Sequence, residues 1–272
     1  MNSIFNFTHK IKAMNESWMQ KWEEIKDKLV SPVDIETYFI SDEIMEQKME
    51  TMEIGNVSLP SGKVIVRDPL VYLNQKEQPF FVEVPKGDFP VTVAVVKLED
   101  WGDRYAAVKV EFTKEKPVLY REALIGIENI EDVNDDAFFG FNVDAGLACI
   151  TDPEVVPYVE KFIEELDVAN IYDDYFAELF AKSYKENPKN QRDLGDWINW
   201  KVPNTEYQIP IFASGVGDGV YPVYFAYDGQ GQLCGLYIHF IDIELELSEY
   251  DEENDDEEDE TSGQQDNFVF LK

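Results

Sequence analysis

Between residues 9 and 29, apolar side chains recur at steps of three and four: Ile11, Met14, Trp18, Trp22, Ile25 and Leu29, with Lys, Glu, Asn and Gln between them. That period places one stripe on one face of a helix, and Ser31-Pro32 stops it. Such a Met/Trp stripe usually packs on the protein's own sheet; a partner helix or a ligand is the other use. Residues 33–40 read as a short strand. Residues 42–52, rich in Glu, Met and Lys, read as a helix ending at Gly55.

From residue 56 the period drops to two. Val57 to Leu59, a turn at Pro60-Ser61-Gly62, and Lys63 to Arg67 predict a hairpin, broken by Asp68-Pro69. Phe80 to Val84 reads as the next strand. Pro90 to Leu98, apolar on both faces, reads as a central one. Tyr105 to Phe112 alternates cleanly, with Ala106, Val108, Val110 and Phe112 on one side and Tyr105, Lys109 and Glu111 on the other. Residues 117–125 are its expected neighbour. No helix pattern interrupts 56–125, so hairpins and meanders are expected rather than βαβ crossovers.

Residues 138–150 form a glycine-interrupted apolar stretch, a bulged strand or a strand-turn-strand. Asp152-Pro153-Glu154 opens a helix by its cap chemistry, with Pro157 late enough to delay or bend it. A second helix spans about 169–185, and 188–204 reads as a polar connector carrying Trp197 and Trp200. Strands are then expected near 206–213, 220–227 and 233–247. The first two meet at the glycine-punctuated corner Ser214-Gly-Val-Gly-Asp-Gly219.

Charge changes this picture most. The chain has 23 basic and 56 acidic residues, a net of −33. Residues 249–260 hold ten acids and no base, and those ten charges subtracted from −33 leave −23. That acidic run should be disordered. The repulsive field disfavours nucleic acid and anionic membranes. Solubility alone accounts for it; the alternative reading is that it steers a basic protein partner toward the chain. No apolar run approaches the roughly 18 residues a membrane span needs, and the N-terminus lacks a signal-peptide pattern, so a cytoplasmic location is expected. The two cysteines, Cys149 and Cys234, lack metal-ligand spacing; they read as buried reduced thiols, with a single disulfide as the alternative.

Candidate chemistry centres on acids beside glycines. Asp218 sits between Gly217 and Gly219, free to meet a substrate or cation or to fix the turn. Asp144 has the same two readings, and Asp228 reads as a hairpin-loop residue. The glycine run does not open a helix, so it is not a dinucleotide fingerprint, and it lacks the Gly-Lys-Ser/Thr of a P-loop. Ser214 precedes the run outside any G-x-S-x-G, and only His9 and His239 exist as bases. His239 reads as a half-exposed strand residue. An oxygen-only site from Asp144, Asp218 and Asp228 is the one metal arrangement the chemistry permits; no zinc pattern and no cofactor motif is present.

Four ordered motifs carry a resemblance. They are Leu59-Pro-Ser-Gly-Lys-Val with Asp68-Pro-Leu70, Val84-Pro-Lys-Gly-Asp-Phe-Pro-Val91, Phe139-Gly-Phe-Asn-Val-Asp-Ala-Gly146, and Ser214 through Tyr224. Together they resemble an uncharacterised bacterial family, the domain of unknown function numbered four-two-four-one, over roughly 56–243. The resemblance supplies no activity and no catalytic residue; immunity proteins of toxin systems are its nearest analogy. Members of that family often end the last strand in an Asp-Phe pair, where this chain has His239-Phe240.

The expected fold is α+β: a mainly antiparallel β-sheet or sandwich with an N-terminal helix and a helical pair inserted near 153–185. Three stretches are expected: helical 1–55 packed on the main domain, β-rich 56–248, and an acidic tail at 249–272. Two functional readings stand side by side. One is a non-enzymatic acidic protein that binds a basic protein partner. The other is a hydrolase, or a carbohydrate- or nucleotide-binding enzyme, with its site at 214–219.

Overall fold

The computed structural model describes residues 16–99, 101–131 and 138–246. His9, the acidic run at 249–260 and the apolar end at 268–271 lie outside the described residues. The fold is mostly antiparallel β, as expected, and its strands form two stacked sheets with helices on the outer face of the second.

The chain enters through a helix, α1, described from 16 to 25, and the short α2 (Thr37–Ile40). The strands are β1 (Glu43–Ile44), β2 (Gln47–Leu59), β3 (Ile65–Arg67), β4 (Gly87–Leu98), β5 (Gly102–Glu111), β6 (Pro117–Glu122), β7 (Gly140–Val143) and β8 (Leu147–Thr151). Next come α3 (Val156–Leu166), a π-helical turn (Tyr172–Phe176) running into α4 (Ala177–Glu186), then β9 (Trp197–Lys201), β10 (Gln208–Ala213), β11 (Gly219–Asp228) and β12 (Leu233–His239). The larger sheet runs β1-β2-β4-β5-β12-β11-β6, with β7 on the early part of β11; the smaller runs β3-β8-β10-β9.

The smaller sheet is buried on both faces, which explains its unbroken apolar runs. Ala148, Ile150 and Phe212 turn into the core shared by the two sheets. Their neighbours Leu147, Cys149, Ile209 and Ile211 pack with Ile198 and Trp200 against Val159, Phe176 and Phe180 of the helices. The period of two therefore distributes one strand's side chains between two cores. A third, small cluster holds Trp22 and Leu29 against Leu124 and Ile130, so the stripe from Trp18 to Leu29 covers the protein's own surface, while Ile11 and Met14 lie outside the described residues.

Several local expectations change. Residues 42–52 form β1 and β2 instead of a helix, turning at Met45 and Glu46 with φ of 47° and 62°. Residues 33–40 form turns and α2 rather than a strand. The 57–67 hairpin does not form, because β2 pairs with β4 and β3 with β8. Residues 80–84 form no strand; they bend at Phe81 and Val82 and hydrogen-bond singly to Val64, Leu124 and Gly62. β6 neighbours β11, not β5. The connector at 188–204 contains β9, and 243–246 is a helical turn beyond the last strand.

α3 starts at Val156 with a proline in its first turn, the delay that Pro157 implied. Both cysteines are buried and free. Burial pushes the Cys149 thiol up to about 12 and the Cys234 thiol up to about 11, so both are inert as nucleophiles.

Candidate functional site

The glycine corner is the joint between the sheets. β10 ends in the smaller sheet at Ala213, opposite Leu147 of β8; β11 begins in the larger sheet at Gly219, opposite Val143 of β7. Two chain segments thus cross between sheets side by side, and their bonds continue through the bend. Ser214 N donates to the Gly146 carbonyl at 3.2 Å, and Gly146 N donates to Asp218 Oδ1 at 3.0 Å. Ser214 Oγ donates to the Gly217 carbonyl at 2.7 Å, which also accepts from Tyr221 Oη at 2.9 Å. Gly215 has φ +64°, and a Cβ there would stand 2.7 Å from Phe240 Cβ, so only glycine fits.

Asp68 holds the other side of the joint. Fully buried, it accepts from Leu70 N at 2.8 Å and Val71 N at 3.2 Å through Oδ1. Its Oδ2 accepts from Asp144 N at 3.0 Å and Ala145 N at 2.7 Å. One carboxyl therefore ties the loop after β3 to the β7–β8 crossing. A second does similar work nearby: Asp152, also fully buried, accepts from Ser61 N, Ser61 Oγ and Glu154 N. Ser58 donates to Asp88, and Val84 N donates to the Gly62 carbonyl at 2.8 Å. The four sequence motifs meet in this network. Gly62 and Asp68 of the first accept from backbone amides of the second and third, and the third and fourth exchange bonds at Gly146, Ser214 and Asp218.

The sequence-predicted residues divide accordingly. Asp144 and Asp218 are both exposed and come together around Gly146, where Asp144 also accepts from the Tyr72 hydroxyl. That contact pushes the Tyr72 phenol up. Ser214 lies in the same corner, but it is buried and its hydroxyl serves the turn.

Asp228 lies at the far end of β11, accepting from Gln230 N and Gln232 N in the β11–β12 hairpin. A ten-residue strand spans roughly 30 Å, so the three-aspartate cation site does not assemble. Among the described residues no group of acids, histidines and cysteines is arranged to hold a metal. His239 is buried rather than half-exposed, edge-on to Tyr38 with ring centroids 5.0 Å apart. Burial lowers its pKa, against the pull of Asp242.

Beside the joint opens a cleft of about 480 Å³. Its lining includes the apolar Leu70, Ala145, Leu147 and Ala213 and the polar Asn170, Tyr172, Arg192 and Asp196. Arg192 Nε and Nη2 both donate to Asp196 Oδ1, at 2.8 and 2.6 Å, while Arg192 N donates to Oδ2. Asp196 is buried and the Arg192 side chain 44% exposed, so the pair presents its guanidinium edge outward. Gly195 makes the close turn possible: its φ is +97°, and a Cβ would meet the Phe180 carbonyl at 2.3 Å. Sequence reading missed Asp68, Arg192 and Asp196. The Arg192-Asp-Leu-Gly-Asp196 spacing was the available signal for the last two.

Fold and joint define an antiparallel, two-sheet β protein with a helical layer on one face, its sheets pinned by buried aspartates. The chain belongs to the family described as "Protein of unknown function (DUF4241)", whose model matches residues 57–238. No curated protein and no solved structure matches it. No helix among the described residues is long and apolar enough to cross a membrane.

Proposed function

We propose that the protein is a non-enzymatic binding protein, immunity- or antitoxin-like, whose acidic corner engages a basic protein partner. The observation that carries this is the pairing of Asp144 and Asp218, exposed on adjacent crossings, in a chain that holds −23 apart from its acidic run. Two exposed apolar residues follow or precede residues of the neighbouring cleft in the chain. Val71, next to the cleft residue Leu70, is 51% exposed, and Leu194, next to Gly195, is 75% exposed. Leu194 also stands at φ +79°, a backbone state that residues with a Cβ rarely adopt. Apolar anchors beside like charges are the composition of a steered protein interface.

A pull-down at low ionic strength tests the reading. A basic protein should be retained, released by about 0.5 M salt as screening removes the field, and weakened by the Asp144→Asn/Asp218→Asn pair. Retention that ignores salt, or recovery of no basic protein, contradicts it. Asparagine still accepts from Gly146 N and Tyr72 Oη, so that variant removes charge while leaving the joint intact.

A further inference from the structure

We propose that residues 30–41 form a proton-operated cover on the outer face of the larger sheet, closed while His239 is neutral and released when it takes up a proton. The device is separate from the acidic corner and needs no partner.

The cover runs from the bridge between Val30 and Arg121 to the end of α2. Polar groups hold much of it. Ser31 N donates to the Tyr120 carbonyl at 2.9 Å, and Asp34 Oδ1 accepts from Tyr120 Oη at 2.8 Å. Glu36 accepts from Lys109 Nζ at 2.8 Å and from Tyr237 Oη at 2.6 Å. Phe39 stands edge-on to Tyr237, with the Lys109 ammonium 4.6 Å from its ring centre. Ile35 and Tyr38 are the buried apolar pins. Lys109 and Tyr237 face each other in the β5–β12 register, and His239, two residues on, shares their face. Phe240 points the other way, onto Phe212 of the smaller sheet.

His239 lies beneath α2. The imidazole is 7% exposed and edge-on to Tyr38. It bonds to the Ile241 backbone, and its Nε2 has no partner among the described residues. In the neutral ring that nitrogen is a bare acceptor. A protonated ring carries N–H on both nitrogens, so Nε2 would become a buried cationic donor with nothing to receive it. Burial accordingly holds the His239 pKa below its ordinary value.

The surrounding groups give the cation little help. Asp242, in the turn after β12, pulls towards the charged form through space and not by a hydrogen bond, and its Oδ1 accepts from Leu245 N. Glu244 of the same turn acts on Tyr38. Tyr38 from α2 and Tyr224 from β11, which also feels Asp242, are phenols that burial pushes up, so both stay neutral. Ala107, opposite on β5, has no charge to offer. β12 is locked between β5 and β11, so the neighbour able to yield is α2. It has four residues and no side-chain cap, and Ile243 N reaches Tyr38 Oη only at 3.3 Å. Lifting it admits water to Nε2 and uncovers Lys109, Tyr120 and Tyr237.

The open form titrates near the ordinary 6.5 and the closed form below it, so closure is fullest above 6.5 and weakens as pH falls through it. Going from about pH 7.5 to about pH 5.5 should raise the opening constant by up to about tenfold.

Hydrogen exchange and imidazole NMR on the His9→Gln chain, which keeps His239 as its one histidine, test this. After correction for intrinsic pH dependence, exchange at the Ser31, Glu36 and Ile243 amides should rise by that factor, while Val91 and Val93 in β4 keep their protection. His239→Phe retains a ring against Tyr38 and should abolish the rise; Glu122, pushed up to about 7 in both proteins, cancels. Tyr38→Ala leaves His239 in place and should move its imidazole midpoint up to about 6.5 from a lower value in the parent. Four results would each overturn the proposal: a His239 that titrates while the three cover amides stay protected, a rise that survives in His239→Phe, an equal rise at Val91 and Val93, or a midpoint unmoved in Tyr38→Ala.

Discussion

Glu122, the last residue of β6, is 5% exposed and accepts from Phe139 N at 2.7 Å. Burial pushes its carboxyl from 4.5 up to about 7; the Phe139 amide opposes the shift and Glu128 adds to it. The sign follows from linkage. Between pH 4.5 and 7 the folded state holds a proton that the unfolded state has lost, so stability is fullest below 4.5 and falls as pH rises towards 7. The full difference amounts to about 3 kcal/mol, a large part of the 5–15 typical of a domain. Glu122→Gln keeps an oxygen for Phe139 N and removes the titration. Urea unfolding followed by tryptophan fluorescence should find the variant more stable by about 3 kcal/mol at pH 8 and by under about 1 kcal/mol at pH 5. His239, whose pKa is lowered, acts in the opposite sense: its contribution is lost as pH falls below 6.5. It is present in both proteins, so it cancels in the comparison. An equal difference at both pH values, or a variant weaker at pH 8, would refute the argument.

Asp68→Ala should leave four backbone N–H groups without their acceptor and lower stability by about 3 kcal/mol or more, read by the same unfolding curves. The same change should speed amide exchange at Asp144 and Ala145, a local effect that general destabilisation at distant amides does not mimic. Gly215→Ala and Gly146→Ala make an internal control. The two positions share a left-handed φ, +64° and +63°, but only the first meets a wall, at Phe240. Gly215→Ala should therefore be the worse by about 1–2 kcal/mol in thermal or urea melts. Equal effects would mean that the corner packs more loosely than described.

How far these features were legible depended on which physical signal each one leaves. β4, β5, β10 and β11 announced themselves because their burial follows a period of two or an unbroken apolar run. β2 did not: Met49, Glu50, Met52 and Glu53 have helix-forming composition, and the β1–β2 turn uses Met45-Glu46 where Asn-Gly would have signalled a hairpin. Pairing with β4 overrides the local preference. The strand swap that sends β3 to β8 is equally silent, since Pro60-Ser61-Gly62 looks like any hairpin turn. In the joint, the glycines and Asp144 and Asp218 were visible as a motif. What they do there was not, because their partners are amides and carbonyls about 70 residues away in the chain. Asp68 looked like a strand breaker for the same reason. The Arg192–Asp196 pair was legible as a spacing, and its cleft only as a shape.

The decisive measurement is the association rate of the captured partner with the wild-type chain and with Asp144→Asn/Asp218→Asn, taken across ionic strength from 20 to 500 mM. The expected result is a wild-type rate that falls steeply with salt, with a variant that associates more slowly at low salt and converges with wild type at high salt. Rates that are indifferent to salt, or identical in the two proteins at 20 mM, would contradict a corner that steers a basic partner.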